Sequence, residues 1–394
     1  MKKILIVSNN MNVGGIQKSL LELLKALDRD GSFEVSLFCC HQTGAFLDQI
    51  PEGVKMLSEH PLAKMSELPL SACKKQGASY YLLRLCFSLW SKIFTKALPA
   101  WLLCRLMGRI GEDYDVAISY AQPIRDQDFC NLTNEIVLEC VRAKRKATFV
   151  HCDFGMYGGN TKRNRRLYRK FDAVAAVSHS VRDRFVSIIP ELEERTFTVY
   201  NFCDSEGILA LANESPVSYE RPTVVTVARL SEEKGLVRCV PLFASLRKKG
   251  YDLEWRIVGG GPMKDALEAE IKKYGMEDAI CLAGQQINPY RYMKNARFFL
   301  LSSFHEAAPM VFDEAATLGV PILSTATLSA SELVEKRGIG AVCENNGEAI
   351  LHMLESALSG QFDFDLTYRP SRQLPLEQFK RLVENDREEW SSDR

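Results

Sequence analysis

The sequence predicts an α/β protein built from two doubly wound domains, each containing a parallel sheet. The chain has 394 residues, more than one domain usually holds. Short apolar runs, which are typical of buried strands, alternate with amphipathic stretches that are typical of helices. Glycine-rich turns follow several of these runs, and the alternation restarts after a polar stretch at residues 213–222. We therefore expect domains at residues 1–204 and 205–372, followed by a terminal helix within 373–394.

The charge of the chain is zero overall but unevenly distributed. The first 200 residues carry 28 Lys and Arg against 21 Asp and Glu, a balance of +7, and the remainder carries −7. The first half is thus the better candidate for contact with an anionic surface. It is not basic enough to suggest nucleic acid, and no motif of a nucleic-acid-binding domain is present.

The cysteines and histidines predict neither disulfides nor a metal site. The twelve cysteines form no C-x-x-C pair, and the six histidines lack the spacing of metal ligands. The apolar run at residues 4–7 is too short for a signal peptide, and no uncharged run approaches the ~18 residues of a membrane span. We expect a cytoplasmic location without a structural metal.

In the first domain a predicted strand at residues 3–8 leads through Gly14 and Gly15 into a helix. This arrangement can hold a phosphate, because glycines allow a ligand to approach the backbone. It could equally be the ordinary turn before a helix of a doubly wound sheet. It lacks the G-x-G-x-x-G pattern, so a nicotinamide-dependent oxidoreductase is poorly supported. Further strands are predicted at residues 33–40, 54–57, 115–120, 147–150, 173–177 and 197–200.

Residues 68–111 contain seven basic residues, no acidic residue and many aromatic and aliphatic ones. Such helices suit the surface of an anionic bilayer. The alternative is a pair of core helices whose polar faces happen to be basic. The residues that we predict at the membrane surface are Lys74, Lys75, Arg84, Trp90, Lys92, Lys96 and Trp101.

His151 follows the predicted strand at residues 147–150, and Asp153 and three glycines come soon after. A side chain at the carboxyl end of a parallel strand lies on the ligand side of the sheet. We therefore predict a substrate contact for His151, although an isolated histidine is more often a core residue. The basic residues at 162–170 fit either a solvated helix face or a contact with an acceptor phosphate.

The second domain is predicted to place two cations and a glycine turn at the same edge of its sheet. Arg229 and Lys234 follow the strand at residues 223–227, and Gly261 belongs to the turn after residues 253–258. Two cations there would complement the charge of a diphosphate. Either residue alone would be interpreted as a solvated charge in a loop. The remaining strands are predicted at residues 279–283, 298–301, 320–323 and 338–342.

The stretch at residues 302–321 predicts a strand end, a turn, a short helix and a new strand. Pro309 suits the first turn of the helix, and Gly319 suits its C-terminal cap. The amides at the helix start form an anion site, which Glu306 and Glu314 flank. The alternative without a binding function is that the two glutamates lie there by chance and that one of them compensates the helix dipole.

Taken together, these motifs resemble the retaining glycosyltransferases of family 4, the sucrose-synthase-like class with the GT-B fold. The resemblance covers most of the chain and rests on five stretches, namely Gly14–Gly15, the His151 region, residues 227–235, residues 258–262 with 284–290, and Glu306 to Pro321. It implies two Rossmann-like domains facing each other across a cleft, with acceptor on the first domain and donor on the second. It also implies a terminal helix that crosses back to the first domain.

The resemblance assigns roles to individual residues. Arg229 and Lys234 would hold the donor diphosphate, Glu306 would contact sugar hydroxyls, and His151 would lie near the reacting centre; these four form the predicted catalytic set. The predicted donor-binding residues are Gly15, Gly261, Gln286, Ile287, Ala308, Pro309, Met310, Val311 and Glu314. The implied donor is a UDP-sugar, the implied acceptor is a lipid-linked glycan or polysaccharide at the inner membrane face, and neither cofactor nor metal is implied.

One position departs from the family pattern. Ala307 stands where the family usually has glycine, and an alanine would be strained if the backbone there adopted a positive φ. Two rival functions follow from these considerations. A UDP-sugar 2-epimerase of the same fold would need no acceptor, and a non-catalytic sugar-nucleotide-binding subunit would tolerate an altered site.

Overall fold

The computed structural model describes residues 1–123, 125–156 and 158–384. The chain forms two compact units. The first consists of Met1–Phe202 together with the segment that begins at Arg372, and the second consists of Cys203–Ser371. The division thus falls two residues before the boundary predicted at 204. Residues 385–394, the end of the predicted terminal segment, lie outside the described residues.

The first unit is built on a seven-stranded sheet in which all paired strands are parallel. Its strand order is β3-β2-β1-β4-β5-β6-β7. The strands are β1 (Lys2–Ser8), β2 (Phe33–Cys39), β3 (Lys55–Met56), β4 (Asp113–Ser119), β5 (Arg142–Val150), β6 (Ala173–Ala176) and β7 (Thr196–Thr198).

Helices connect most of these strands, as is usual between parallel strands, whereas a 3₁₀ turn at Leu47–Gln49 lies between β2 and β3. Four of them lie in the single long connection between β3 and β4. The helices are α1 (Gly15–Asp30), α2 (Pro61–Glu67), α3 (Leu70–Lys74), α4 (Ala78–Ile93), α5 (Ala97–Met107), α6 (Thr133–Cys140), α7 (Lys162–Tyr168) and α8 (His179–Ile188). None of the helices in the described residues is both long and apolar enough to span a bilayer.

The second unit has a six-stranded, fully parallel sheet of order β10-β9-β8-β11-β12-β13. Its strands are β8 (Thr223–Val227), β9 (Glu254–Val258), β10 (Ile280–Gly284), β11 (Phe298–Leu301), β12 (Ile322–Thr325) and β13 (Gly340–Cys343). Its helices are α9 (Ser205–Glu214), α10 (Val240–Lys248), α11 (Lys264–Lys273), α12 (Tyr290–Met293), α13 (Met310–Thr317) and α14 (Gly347–Leu358), with a π-helical turn at Ser331–Glu335.

Both sheets follow the same plan. Counted within each unit, the strands lie in the order 3-2-1-4-5-6, with β7 added at one edge of the first sheet. In this doubly wound order the chain reverses direction between the first and fourth strands, and a crevice opens at their carboxyl ends. The reversal lies between β1 and β4 in the first unit and between β8 and β11 in the second.

Each sheet is buried on both faces, which explains the continuous apolar runs in its strands. The side chains of Ile4, Leu5, Ile6 and Val7 in β1 are fully buried. In the second unit Trp255 of β9 is fully buried, stacks on Phe243 with ring centroids 4.6 Å apart, and donates from Nε1 to Thr226 Oγ1 at 3.0 Å. The single polar atom of this large side chain is therefore satisfied inside the core.

The terminal helix α15 (Gln373–Glu384) belongs to the first unit. Its buried residues recur at the spacing of one helical face. On that face Phe379 is fully buried and meets Phe33 edge-on, with centroids 6.1 Å apart. Gln378 accepts a hydrogen bond from the amide of Tyr200 at 3.0 Å. The amphipathic pattern at the end of the sequence thus marks a helix that covers the first sheet.

Candidate functional site

The reversal point of the second sheet brings together two of the predicted residues. Lys234 ends the short 3₁₀ turn Glu232–Lys234 after β8, and Glu306 lies in the loop after β11. Their side chains form an ion pair, and Ser303 Oγ donates to the same carboxylate oxygen at 2.8 Å. Both side chains are mostly buried, at 21% and 14% exposed. An ammonium group and a carboxylate therefore meet where the fold opens its crevice.

Arg229 lies at the same edge but has a different partner. Its guanidinium pairs with Glu233 at 2.8 Å, and its side chain is 71% exposed. Ser231 Oγ donates to the same Glu233 oxygen at 2.7 Å. Partial burial opposes ionisation of Glu233, but these bonds outweigh it and lower its pKa to about 2. Arg229 is thus held by an ionised partner while its side chain stays open to solvent.

The backbone joins these two ion pairs. The amide of Phe304 donates to the carbonyl of Glu233 at 2.8 Å, and Ser302 Oγ donates to the carbonyl of Lys234 at 3.0 Å. Arg238 adds a bond to the carbonyl of Ser302 at 2.7 Å and stacks over the ring of Phe304 at 3.9 Å. The loops after β8 and β11 are therefore fixed to each other, which sets the position of Glu306.

Gly261 is required by close backbone packing. Its φ is +155°, and a Cβ there would lie 2.4 Å from the carbonyl oxygen of Leu230. The same two loops are linked by a bond from the Leu230 amide to the Gly260 carbonyl at 2.9 Å. A glycine is thus needed here to place the turn after β9 against the loop that carries Arg229, whatever else Gly261 contacts.

Helix α13 starts one residue later than predicted. Pro309 is the residue before the helix, with φ −68° and ψ 124°, and Met310 is the first helical residue. Proline at the predicted position would need helical ψ, which this extended backbone lacks. No side chain of the described residues caps the helix start by a hydrogen bond. Ala308, Met310 and Val311 beside it are partly exposed, so the predicted donor-binding stretch surrounds an amide end without a side-chain cap.

Glu314 lies inside α13 and is almost fully buried. Its neighbour Asp313 pairs with Arg337 at 2.7 Å, which ties the helix to the segment after the π-helical turn. Gly319 follows the helix with φ +69°, which confirms its predicted capping role. The two acidic residues of the motif therefore differ: Glu306 faces a lysine in the loop, and Glu314 is a buried residue of the helix.

Ala307 is accommodated without strain. Among the described residues other than glycine, only Asn131 has a positive φ, of 54°. Ala307 is buried, and its backbone lies outside the left-handed region that would have favoured glycine. The departure from the family pattern therefore carries no backbone penalty in this chain.

Gln286 and Ile287 lie away from the reversal point. They follow β10, the edge strand, which is separated from β8 by β9. Ile287 is fully exposed, and Gln286 donates to the carbonyl of Ala283 at 2.6 Å. These two residues stay predicted donor-binding residues.

In the first unit His151 directly follows β5 and is packed between aromatic rings. Its ring centroid is 4.7 Å from that of Tyr120 and 5.4 Å from that of Phe149. Burial lowers the pKa of His151 to about 4, although a hydrogen bond to the Tyr120 backbone acts in the opposite direction. Nε2 is buried and has no hydrogen-bond partner in the part of the chain that the structure describes. The imidazole is therefore neutral near pH 7 and offers an unused acceptor nitrogen.

Gln122 positions His151, a role that the sequence analysis missed. One side-chain oxygen of Gln122 accepts from the amides of His151 at 2.9 Å and Cys152 at 2.8 Å. The carbonyl of Gln122 accepts from the side chain of Asn131 at 2.6 Å. The only available signal was a polar residue shortly after the end of β4, beside the reversal point.

Gly15 is the first residue of α1. A Cβ built on it would meet nothing within 4 Å, and its φ is not in the left-handed range. The fold of the first unit therefore does not itself require glycine at this position. The space in front of the backbone is consistent with the predicted approach of a ligand.

The predicted membrane surface is wrong for two of its seven residues. Arg84 and Lys96 are buried, with Lys96 fully enclosed and donating from Nζ to the carbonyl of Cys130 at 2.9 Å. Arg84 lies over the ring of Phe129 at 5.1 Å. The sequence analysis placed these two on the same surface as Lys74, Lys75 and Lys92, but they face inward, because a buried carbonyl binds Lys96 and an aromatic ring packs against Arg84.

The other five residues are exposed, and they share the surface with large apolar side chains. The exposed apolar residues of α4, α5 and their connection are Leu82, Leu89, Trp90, Ile93, Phe94, Leu98, Trp101, Leu102 and Leu106. We call this set, with the exposed basic residues Lys74, Lys75, Lys92, Arg105 and Arg109, the α4–α5 surface. Large exposed apolar side chains interspersed with cations are typical of a binding surface.

Comparisons with solved structures identify the class of fold. A lipopolysaccharide outer core galactosyltransferase, WaaB, matches 97% of this chain and 99% of its own with a TM-score of 0.62 and 15% identity. Anabaena HepE in complex with UDP-glucose matches 98% of this chain and all of its own with a TM-score of 0.61 and 17% identity. The predicted fold is confirmed: two Rossmann-like domains with parallel sheets, as in GT-B glycosyltransferases.

Sequence comparisons then find similarity in the second unit. Residues 210–372 match the model for glycosyl transferases group 1. The colanic acid biosynthesis glycosyltransferase WcaL of Escherichia coli, a putative assignment, is 33% identical over 153 residues, 36% of this chain and 37% of WcaL. An uncharacterised glycosyltransferase of Methanocaldococcus jannaschii is 26% identical over 166 residues, 40% of this chain and 41% of that protein. The matched stretch thus spans about two fifths of each relative.

Proposed function

We propose that this protein is a retaining glycosyltransferase that moves a sugar from a UDP-linked donor to a lipid-linked or polysaccharide acceptor during bacterial surface-glycan synthesis. The observation that carries the proposal is the meeting of Lys234 and Glu306 at the reversal point of a group 1 glycosyl transferase domain. A capsule or exopolysaccharide product is favoured by the relative WcaL, which is named for colanic acid biosynthesis.

The proposed chemistry follows from charge. As the sugar–phosphate bond breaks, negative charge develops on the leaving phosphate oxygen. Lys234, Arg229 and the amides at the start of α13 would stabilise that charge, and catalysis of this kind requires donors that are already in place. In the structure the Lys234 ammonium is paired with Glu306. We expect the diphosphate to compete for this ammonium and leave Glu306 to accept hydrogen bonds from sugar hydroxyls.

The acceptor hydroxyl would enter on the face from which the diphosphate departs, with a phosphate oxygen assisting its deprotonation. His151 would then position the donor sugar through Nε2, without forming a covalent intermediate. The cations would take the role that a metal plays in other transferases, so we propose turnover without metal. Treatment with EDTA followed by desalting should leave the transfer rate unchanged.

The decisive experiment replaces Lys234 with alanine in the full chain. We expect transfer to fall by about 10²–10³, the loss typical of removing one group that stabilises a transition-state anion. Lys336→Ala, at an exposed lysine of the same unit, is the matched control. Thermal unfolding of both variants checks that the fold survives. Wild-type turnover by a folded Lys234→Ala variant would contradict the proposal.

The same assay separates the two rivals. Incubation with UDP-sugars alone would produce an epimer if the protein were a 2-epimerase. Binding of a UDP-sugar without transfer, hydrolysis or epimerisation would indicate a non-catalytic subunit. A panel of nucleotide sugars screened for protection against thermal unfolding would identify the donor, since a ligand that binds the folded state raises its stability.

We also propose that the protein acts at the cytoplasmic face of the membrane as a peripheral protein. The α4–α5 surface supports this, because it combines exposed tryptophans and aliphatic side chains with lysines and arginines.

A further inference from the structure

His41 lies beside the turn that leads to Gly15. It comes two residues after the end of β2, the strand next to β1. The amide of His41 donates to the carbonyl of Asn9 at 2.8 Å, and the amide of Met11 donates to the carbonyl of Thr43 at 2.9 Å. The loop that carries His41 is thus fixed to the loop after β1, at the carboxyl edge of the first sheet where ligands bind.

The imidazole of His41 is oriented by a carboxylate. Glu59 accepts from His41 Nδ1 at 2.8 Å and from the amide of Gln42 at 2.7 Å. Its second oxygen pairs with Lys64 at 2.7 Å. Partial burial of Glu59 works against ionisation, but the bonds from His41, Lys64 and Gln42 prevail and lower its pKa. An ionised carboxylate only accepts hydrogen bonds, so Nδ1 of His41 must carry the hydrogen.

The second nitrogen of the ring is then an acceptor. In a neutral imidazole whose Nδ1 carries the hydrogen, Nε2 presents a lone pair. The structure gives Nε2 of His41 no partner within its described residues, and the side chain is 21% exposed. An acceptor nitrogen without a partner, at the carboxyl edge of the sheet, favours a ligand that offers a hydroxyl donor.

We propose that His41, oriented by Glu59, binds a hydroxyl group of the acceptor glycan through Nε2. This subsite belongs to the first unit and rests on the proposed function, because it presumes a sugar acceptor. His41 is a binding residue in this scheme and Glu59 a positioning residue, in the same relation that a buried carboxylate has to the histidine it orients in hydrolases.

A purely structural role for the same contacts is the competing explanation. Asparagine at position 41 distinguishes the binding role from the structural role. Its amide nitrogen occupies the position of Nδ1 and can still donate to Glu59, but it has no atom at the position of Nε2. Glutamine does the reverse, since its amide reaches the place of Nε2. His41→Asn therefore removes the proposed contact and keeps the structural one, and His41→Gln tests rescue.

The experiment measures the affinity of the full chain for octyl glycosides of glucose, galactose and N-acetylglucosamine by calorimetry. We expect wild-type protein to bind at least one of them. His41→Asn should weaken that binding by about three- to tenfold, the loss typical of one hydrogen bond, and His41→Gln should recover part of it. His352→Asn, at an exposed histidine of α14, is the control that should change nothing.

A second measurement is independent of the ligand. Nitrogen-15 spectra of histidine-labelled protein should show His41 with its hydrogen on Nδ1, and the Nε2 signal should shift when the glycoside binds. Absence of wild-type binding to every glycoside, unchanged affinity of His41→Asn, or a hydrogen on Nε2 would each overturn the subsite. Stabilisation by UDP is measured in parallel: if UDP fails to bind but glycosides bind through His41, the proposed donor chemistry falls and the subsite stands.

Discussion

Gln122 accepts two backbone hydrogen bonds with one side-chain oxygen, and both donors belong to the turn that carries His151. Gln122 is itself buried. Removing its oxygen would leave two buried amides without an acceptor, which costs about 1–3 kcal/mol for each unsatisfied group. The histidine would then lose the support that fixes its ring beside Tyr120.

We therefore expect Gln122→Leu to reduce sugar transfer at least tenfold while leaving the affinity for UDP unchanged, because UDP is proposed to bind the second unit. The affinity is measured by thermal shift and the transfer rate by release of UDP. Gln122→Glu keeps an acceptor oxygen at the same place and serves as the control. Equal transfer by Gln122→Leu and wild type would show that the turn holds His151 without Gln122.

Some residue contacts of the candidate site could be predicted from the sequence, and others could not. Lys234 and Glu306 are 72 positions apart, yet their meeting follows from two inferences that the sequence allows: each follows a parallel strand, and ligand groups gather at the carboxyl ends of such strands. Arg84 and Lys96 could not be placed, because the groups that receive them lie more than 30 residues away in sequence. Gln122 was missed because it acts through backbone amides, which leave no mark in the sequence.

At the scale of elements, α15 depends on the first unit for its apolar face. Phe379 is fully buried against Phe33, and Lys380 pairs with Asp30 at 2.6 Å. A helix of twelve residues is only marginally stable alone in water, so this packing maintains it. In return the helix covers Phe33 of β2 and bonds to Tyr200, which follows β7.

We expect Phe379→Ala to lower the free energy of unfolding of the first unit by about 3–5 kcal/mol, the usual cost of truncating a buried phenylalanine. Urea denaturation followed by circular dichroism measures the change. Glu377→Ala, at an exposed position of the same helix, should have little effect. A Phe379→Ala variant as stable as Glu377→Ala would mean that α15 contributes little to the first unit.

The element boundaries show where local sequence stops being informative. The helix predicted near residue 309 starts at Met310 because Pro309 adopts an extended ψ of 124°. Sequence favours proline near a helix start but does not fix which side of the start it takes. The strand at β3 was predicted over four residues and has two, Lys55–Met56, since pairing with β2 alone decides its length.

At the scale of the whole molecule, the net charge is zero, but positive and negative charge are distributed unevenly along the chain. This distribution matches the proposed partners. The first 200 residues carry the excess of positive charge, and the α4–α5 surface lies within them. Its most exposed apolar side chains include Ile93 at 72% and Phe94 at 58%. An anionic bilayer would bind both the basic residues and the exposed apolar side chains. Each basic residue near such a surface contributes about 1 kcal/mol of binding free energy.

We expect the full chain to sediment with vesicles containing phosphatidylglycerol and to stay in solution with purely zwitterionic vesicles. Raising the salt concentration should release it, because screening shortens the reach of the lysines and arginines. Trp90→Glu combined with Ile93→Glu should reduce partitioning at least tenfold, since both side chains are exposed on α4 and each change replaces apolar area with a charge that the membrane repels. Tyr274→Glu, at an exposed aromatic residue of the second unit, should bind as wild type does. If the double variant binds vesicles as well as the wild type does, or if binding does not depend on lipid charge, the α4–α5 surface contacts a partner other than an anionic bilayer.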